Sequence, residues 1–191
     1  VNGGALNISQ ASGNPSTWAL NQIDFNSFGA TLQNITEISF EGPGDPFLNT
    51  AAPITGTLNC TWEFIGSDAQ NISPSNISQF SVWNSGGGIN NFLIQNTAGL
   101  QLTSALALSG SLEVTADSLL VLAGTTTPMP TVGVAGTKTF SNTSTVSYSG
   151  TGAQIVSAET YGHLSLSGGN TKTISSGTTN IAGDYSLGLS T

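Results

Sequence analysis

The chain has 191 residues and carries Lys+Arg 2 against Asp+Glu 10, which gives a net charge of -8 with only 6% charged residues. Nucleic acids, phosphate ligands and anionic membranes require a cationic protein surface, so this composition argues against all three as partners. The lone Cys60 excludes an internal disulfide and a cysteine-based metal cluster, and we expect no transmembrane segment because no run of about 18 apolar residues occurs.

The first 89 residues are an aromatic-richer β region. All three tryptophans, Trp18, Trp62 and Trp83, lie in this part of the chain. We expect residues 1–89 to form wider coils or a separate β domain. The glycine-rich segment NSGGGINN (84–91) is a plausible seam before the region that follows.

Residues 90–191 carry a repeat. The pattern apolar, small, Gly, polar, apolar, polar, apolar occurs in LSGSLEV (108–114) and IAGDYSL (181–187), and also earlier in ITGTLNC (54–60). A longer alignment joins 90–114 to 161–187 with a two-residue insertion. A repeated glycine between two apolar runs predicts a tight turn or bulge that requires the backbone freedom of glycine.

The periodicity of the apolar residues indicates an all-β fold. Pairs such as Leu100 with Leu102 and Leu164 with Leu166 alternate with polar residues, and helical spacing is absent. A unit of about 20 to 27 residues with two or three short strands has the size of one coil of a β-solenoid. We therefore expect a right-handed parallel β-solenoid (β-helix), with a β-sandwich as the alternative, at least for the first half.

The segment 146–187 carries a longer motif. It reads Tyr-x-Gly-x-x-x-Gln-x-Val, then Tyr-x-x-Leu-x-Leu-Ser-Gly, a Lys-Thr step and Ile-x-Gly. The matching residues are Tyr148, Gly150, Gln154, Val156, Tyr161, Leu164, Leu166, Ser167, Gly168, Lys172, Thr173, Ile181 and Gly183. Tyr185 stands where the motif continues with leucine.

This motif resembles a repeat of very large secreted surface proteins of the phylum Bacteroidota, and the resemblance covers roughly residues 90–191. It implies a β-solenoid architecture and an adhesin or filament at the cell surface, exported as cargo of type IX secretion. Residues 1–89 are not covered by the resemblance.

The segment ETYGHLSLSGG (159–169) places an acid, a phenol and the only histidine close together. In the alignment of the two long copies, His163 takes the place of Phe92, which indicates a repeat position rather than an acid–base group. The remaining carboxylates are scattered singly and arginine is absent, so we predict that the chain is not an enzyme. A polysaccharide-cleaving β-helix enzyme is a remote alternative.

Three groups of residues are candidates for binding or modification. Trp18, Trp62 and Trp83 could stack on sugars in a carbohydrate-binding module, against burial as the competing interpretation. Glu41 and Asp45 flank Gly-Pro-Gly and could hold a structural Ca²⁺, against a plain solvated turn; no other cofactor is expected. Candidate glycosylation sites are Ser118 in DSL (117–119) and the sequon residues Asn7, Asn34, Asn59, Asn71, Asn76 and Asn142.

The sequence thus predicts a non-enzymatic, extracellular structural or adhesive segment of a cell-surface adhesin or filament. The expected partners are neighbouring copies of the chain, other surface proteins and glycans. An ice-binding protein is a further alternative, because threonine pairs such as Thr137/Thr139 recur, although Lys138 and Lys172 interrupt two of them.

Overall fold

A computed structural model of the protein describes residues 6–9, 16–24, 30–33, 35–48, 59–74, 76, 88–124 and 126–188. Within these residues the chain forms short strands. In chain order they are β1 (Leu6–Ser9), β2 (Ser16–Leu20), β3 (Ile23–Asp24), β4 (Ala30–Gln33), β5 (Ile35–Phe40), β6 (Phe47–Leu48), β7 (Cys60–Phe64), β8 (Gln70–Ile72), β9 (Asn90–Ile94), β10 (Leu100–Leu102), β11 (Leu112–Val114), β12 (Leu119–Leu122), β13 (Lys138–Phe140), β14 (Thr145–Tyr148), β15 (Gln154–Val156), β16 (Thr160–Tyr161), β17 (His163–Leu166), β18 (Lys172–Ile174), β19 (Asn180–Ile181) and β20 (Tyr185–Leu187).

Two parallel sheets of six strands contain most of these elements. The first sheet has the order β2, β5, β7, β9, β11, β13, and the second has β8, β10, β12, β14, β17, β20. From β7 to β14, successive strands alternate between the two sheets. Two-stranded parallel pairs join β1 to β4, β3 to β6, β15 to β18 and β16 to β19.

The prediction of an all-β fold with parallel strands is confirmed. Each strand pairing in the described part of the chain is parallel, including β2 with β5 and β5 with β7 in the first half. Parallel neighbours need a crossover connection, whereas a Greek-key sandwich is built from antiparallel neighbours. The pairing of the described strands therefore does not fit the sandwich alternative.

The strands stack in register, so that like positions form columns. In the first sheet Ile38, Trp62, Phe92 and Leu112 follow one another as direct partners, and all four are buried. The shortest steps in this column join partners 20 residues apart, as from Phe92 to Leu112, and the longest joins partners 30 residues apart, from Trp62 to Phe92. Side chains alternate between buried and half-buried along each strand, as period-two geometry requires.

The inward columns of both sheets contribute to one hydrophobic cluster. It runs from Ile35 to Leu166 and contains residues of every coil between them. Its widest side chains lie in the first half, where Trp62 stacks on Phe40 with ring centroids 6.4 Å apart. Apolar burial between the stacked strands is therefore the main source of stability in this part of the fold.

The first sheet continues across the predicted boundary between residues 89 and 90. Cys60 pairs with Asn90 and Phe64 pairs with Ile94 in the same ladder. Most of the seam, residues 84–87, lies outside the described residues, so a separate domain over residues 1–89 stays a prediction. The continuous ladder agrees better with the other expectation, that of wider coils.

The repeated glycine has a different role from the predicted turn. Gly110, Gly136 and Gly183 do not have positive φ values; the glycines that do are elsewhere in the described chain. A Cβ at Gly110 would lie 2.8 Å from the carbonyl oxygen of Asn90, and a Cβ at Gly136 would overlap the carbonyl oxygen of Gly110. The prediction of a tight turn is wrong here: glycine is required because adjacent coils approach too closely for a side chain.

Candidate functional site

The three residues of the Glu-Tyr-His segment do not form one site. Glu159 makes an ion pair with the ammonium group of Lys138. Tyr161 is fully buried in the core, whereas His163 is half-buried and accepts a hydrogen bond from the backbone N–H of Asp184 at 2.8 Å. The three side chains therefore have three separate partners, and the segment does not assemble an acid–base pair.

His163 belongs to a series of polar side chains that hold the next coil. Asn91 accepts the N–H of Ser111 through Oδ1 at 2.8 Å. Ser111 accepts the N–H of Thr137 through Oγ at 3.0 Å, and His163 accepts the N–H of Asp184 through Nδ1. In each case the donor directly follows the repeated glycine. The Gly-polar pair of the repeat is therefore where one coil docks on the coil before it.

Gln154 is a buried glutamine that links two coils at a corner. Its Nε2 donates to the carbonyl oxygen of Leu122 at 2.8 Å and to that of Gly124. Its Oε1 accepts the N–H of Gly150 at 3.1 Å. A buried backbone carbonyl left without a donor would be costly, so this side chain satisfies groups that the strand ladder does not reach.

Gln70 makes the same link at another corner. Its Nε2 donates to the carbonyl oxygens of Phe40 and Gly42, both at 3.0 Å. Its Oε1 accepts a hydrogen bond from Nδ2 of the buried Asn96 at 2.9 Å, which extends the chain of amides into a third coil. We call Gln70, Asn96 and Gln154, together with Lys172, the corner staples.

Lys172 occupies the place of Gln154 one coil later, since the two residues are direct partners in the β15–β18 pair. Its Nζ donates to the carbonyl oxygens of Gly150, Gly169 and Gly152 at 2.6, 3.0 and 3.3 Å. Desolvation lowers the pKa of this ammonium group. The lysine therefore binds backbone carbonyls as the glutamines do, and its charge is turned toward the protein.

The sequence-based predictions do not include Gln70, although its signal is present in the sequence. Residues 64–72 read Phe-x-Gly-x-x-x-Gln-x-Ile, which has the same spacing as Tyr-x-Gly-x-x-x-Gln-x-Val at 148–156. Residues 166–174 read Leu-x-Gly-x-x-x-Lys-x-Ile. The glycine of this corner motif is again a close-approach position, because a Cβ at Gly66 would lie 2.8 Å from the carbonyl oxygen of Glu41.

Two buried tyrosines form a closed hydrogen-bond ring. The hydroxyl of Tyr161 donates to the carbonyl of Ser157 at 2.8 Å, so the hydroxyl of Tyr148 must donate to that of Tyr161 at 3.0 Å. The N–H of Ser157 completes the ring by donating to Tyr148 at 3.1 Å. Burial raises the pKa of both phenols, so neither exchanges a proton readily near neutral pH.

Trp62 is not available to a sugar. It is fully buried, its Nε1 donates to Oδ1 of Asn90 at 3.0 Å, and its ring packs against Phe40 and Phe47. The carbohydrate-binding prediction is therefore wrong for Trp62, and the competing interpretation, burial, holds. For Trp18 the structure describes the backbone in β2, and Trp83 lies outside the described residues.

Asp45 is engaged by the protein instead of being set aside for calcium. Its Oδ1 accepts the N–H of Phe47, and its Oδ2 accepts the N–H of Ser73 at 3.0 Å and Nδ2 of Asn76 at 2.8 Å. Glu41 is exposed to solvent. Within the described residues, no group of three His, Cys, Asp or Glu is arranged to hold a metal ion. Asp45 therefore serves as a link between coils.

Two of the candidate glycosylation sites are buried. The amide nitrogen of Asn76, which would carry an N-glycan, donates to Asp45 and to the carbonyl of Phe47 at 2.8 Å. Ser118 is buried and its hydroxyl lies 3.0 Å from that of Thr115. The predictions for Asn76 and Ser118 are therefore wrong for the folded chain, because neither has room for a sugar.

The other sequons stay predictions. Asn59 and Asn142 are exposed, and Asn71 is half-buried in β8. Asn7 lies in β1, where the structure describes the backbone, and Asn34 falls outside the described residues.

The outward face of the first sheet is polar and acidic. A shallow cleft of about 330 Å³ there is lined by Glu37, Thr61, Asn91, Phe92, Leu93, Ser111 and Glu113. Glu63 and Glu113 stand in one outward column with Leu93 between them, which places them two strand spacings apart, about 10 Å. Both oxygens of Glu63 accept hydrogen bonds from neighbouring coils, Oε1 from Gln95 at 2.6 Å and Oε2 from Ser39. This arrangement gives the enzyme alternative no pair of carboxylates free of structural bonds.

The described threonine pairs do not share one face. Thr139 lies in β13 of the first sheet, Thr145 in β14 of the second sheet, and Thr173 in β18 of a two-stranded pair. An ice-binding surface requires one uninterrupted rank of such residues, which these three do not form.

Apolar side chains are exposed on the coil formed by β18, β19 and β20. Tyr185 and Leu187 continue the buried columns of Leu164 and Leu166 but are 48% and 59% exposed. Ile174 follows the buried Val156 and is 52% exposed. This coil has a described neighbour on one side only.

Comparisons with known proteins gave no match: no family model, no curated protein and no solved structure is similar to this chain. In the described part of the chain no helix has the length and apolarity needed to cross a membrane.

Proposed function

We propose that this chain is a structural or adhesive segment of an extracellular filament or cell-surface adhesin, and that it is a right-handed parallel β-solenoid without enzymatic activity. The observation that carries the proposal is the in-register stacking of inward columns such as Leu100, Leu120, Val146 and Leu164. Strands that return to the same sheet at each turn, always in parallel, are the expected consequence of coiling.

The mechanical role follows from how a coil is held. Each coil adds one strand to each ladder at a spacing of about 4.8 Å, so that hydrogen bonds accumulate along the stacking direction. The corner staples add bonds between coils where the ladders stop, as Gln70 does to Phe40 and Gly42. Pulling coils apart would break ladders, staples and apolar contacts together, which suits a load-bearing rod.

The proposed location is supported by the chemistry of the surface and of the cysteine. Only 6% of the residues are charged, so the outward faces offer neutral polar groups suited to many weak contacts with glycans or neighbouring copies. Burial raises the pKa of the Cys60 thiol to about 12, which keeps it protonated and unreactive. A buried, unreactive thiol is compatible with an oxidising environment.

Particle shape tests the structural part of the proposal. Purified protein should give elongated particles in electron micrographs and a scattering profile of a rod whose length grows by about 4.8 Å per coil. A variant with one complete coil duplicated, residues 145–162, should lengthen the particle by one spacing and leave its width unchanged. Compact particles whose length ignores the duplication would contradict the proposal.

The adhesive part requires a separate measurement. Binding to glycan arrays and to immobilised protein should be compared for the wild type and for a variant in which the outward Glu37, Thr61 and Glu113 are replaced by alanine. Loss of binding with an unchanged rod shape would assign adhesion to the first sheet. Equal binding by both proteins would contradict adhesion through that face without affecting the proposed solenoid.

A further inference from the structure

One coil is docked through a side chain that can be protonated. In the series that holds successive coils, Asn91 and Ser111 use an amide and a hydroxyl oxygen, which stay acceptors across the ordinary pH range. His163 uses an imidazole nitrogen for the same bond. The chain contains no other histidine, so this is the single place where an imidazole stands between two coils.

The geometry requires a neutral ring with its lone pair on Nδ1. The N–H of Asp184 donates to this nitrogen at 2.8 Å, which places the remaining ring proton on Nε2. The ring lies against the backbone of Gly183, where a Cβ would come within 2.7 Å of Nδ1. A proton added to Nδ1 would face the N–H of Asp184, and two donors cannot share a hydrogen bond.

Asp184 also offers the protonated ring a different partner. Its Oδ2 lies 3.5 Å from Nδ1, and its side chain is 94% exposed. On the other side of His163, β14 places the uncharged Thr145 as its direct partner. Glu159, the nearest carboxylate along the chain, already has Lys138 as its partner. Among the described residues, the carboxylate of Asp184 is therefore the charged group that faces the ring.

We propose that His163 is a proton-sensitive latch for the coil that begins at Gly183. At neutral pH the imidazole holds the backbone N–H of Asp184. In mildly acidic solution the ring takes up a proton, turns to the carboxylate of the same residue and releases that N–H. The docking of β20 on β17 then loosens, while the coils held by Asn91 and Ser111 do not respond.

Hydrogen exchange measured by NMR tests the latch in the intact wild-type chain. Between about pH 7.5 and about pH 5, which spans the ordinary titration range of histidine, the protection factor of the Asp184 amide should fall about tenfold. The amides of Ser111 and Thr137 should keep their protection factors, because their acceptors do not titrate. The ring C–H resonances of His163 report in the same samples whether the proton has been taken up.

Two variants separate the latch from a structural role of the side chain. His163→Asn supplies an acceptor of the kind used at Asn91, so the Asp184 amide should stay protected at both pH values. Asp184→Asn removes the competing carboxylate but keeps the backbone N–H, so release should require more acidic solution. An Asp184 amide equally protected before and after ring protonation in the wild type would overturn the proposal, as would the same tenfold fall in His163→Asn.

Discussion

The coils built from β5, β7 and β9 and those built from β14, β17 and β20 use the same parallel ladder but are stabilised differently. In the first group, buried rings fill the interior: the centroids of Phe40 and Phe47 are 5.1 Å apart, and those of Phe64 and Phe92 are 5.0 Å apart. In the second group the interior contains the Tyr148–Tyr161 hydroxyl ring, and the apolar side chains of β20 are exposed.

The difference shows that two kinds of interaction can hold the same backbone geometry. A buried aromatic side chain contributes by the area it removes from water, whereas a hydrogen bond contributes about 0.5–1.5 kcal/mol net. We therefore expect the first group of coils to dominate the free energy of unfolding. The second group should be the part that responds to solvent conditions.

The largest effect is expected from removing the central ring of the first group. Trp62→Ala should lower the free energy of unfolding by about 3–5 kcal/mol, because it leaves a cavity between Phe40 and Phe47. Urea denaturation followed by circular dichroism measures this loss. Leu187→Ala, in the exposed β20, is the matched control and should cost less than about 0.5 kcal/mol. Equal losses would erase the distinction between the two groups.

A close-approach glycine should rank second. Gly110→Ala places a methyl group against the carbonyl oxygen of Asn90, which is backbone and cannot rotate away, so a cost of about 3 kcal/mol is expected. Gly183→Ala meets the His163 ring instead, and the double variant with His163→Ala should recover part of its smaller loss. Thermal denaturation measures both. No recovery in the double variant would mean that the clash with the ring is not the cause.

The corner staples should follow. Gln154→Leu removes the donor to the carbonyls of Leu122 and Gly124 and should cost about 2 kcal/mol. Gln154→Lys supplies a donor of the kind that Lys172 uses one coil later, and it should recover at least half of that loss in the same urea titrations. If the lysine variant is as unstable as the leucine variant, the staple is not a donor site.

The tyrosine ring should give the smallest effect and a characteristic pH dependence. Tyr148→Phe removes one hydroxyl of the ring and should cost about 1 kcal/mol at neutral pH. Because burial raises the pKa of both phenols above the ordinary value of about 10, their contribution is complete below that pH and is lost as the pH rises above it. Stability measured from about pH 9 to 11.5 should therefore fall less steeply in Tyr148→Phe than in the wild type.

Much of the fold could be predicted from the sequence, because burial in a strand leaves a period of two. The alternation at Leu100 and Leu102 and the repeat at 108–114 and 181–187 indicate strands and coils correctly. The cause of the repeated glycine could not be predicted, since a positive φ and a close approach both require glycine and differ only in three dimensions.

The candidate residues show the same limit at the level of single side chains. A tryptophan in an alternating strand faces either the core or the solvent, and for Trp62 the register of the stacked columns decides that it is buried. Asn76 satisfies the sequon pattern, yet its amide is taken up by Asp45, a residue 31 positions away. Contacts between coils of unequal length leave no fixed spacing in the sequence.

The in-register columns have a consequence for how such a gene could change. Partners in neighbouring strands lie 20, 26 or 30 residues apart, as in Leu100–Leu120, Leu120–Val146 and Gln70–Leu100, so the surplus residues are accommodated in the connections between strands. Insertions there should be inherited without harm. A single-codon deletion inside a strand would instead turn its inward residues outward, so mutation should lengthen or shorten this protein by whole turns of the chain.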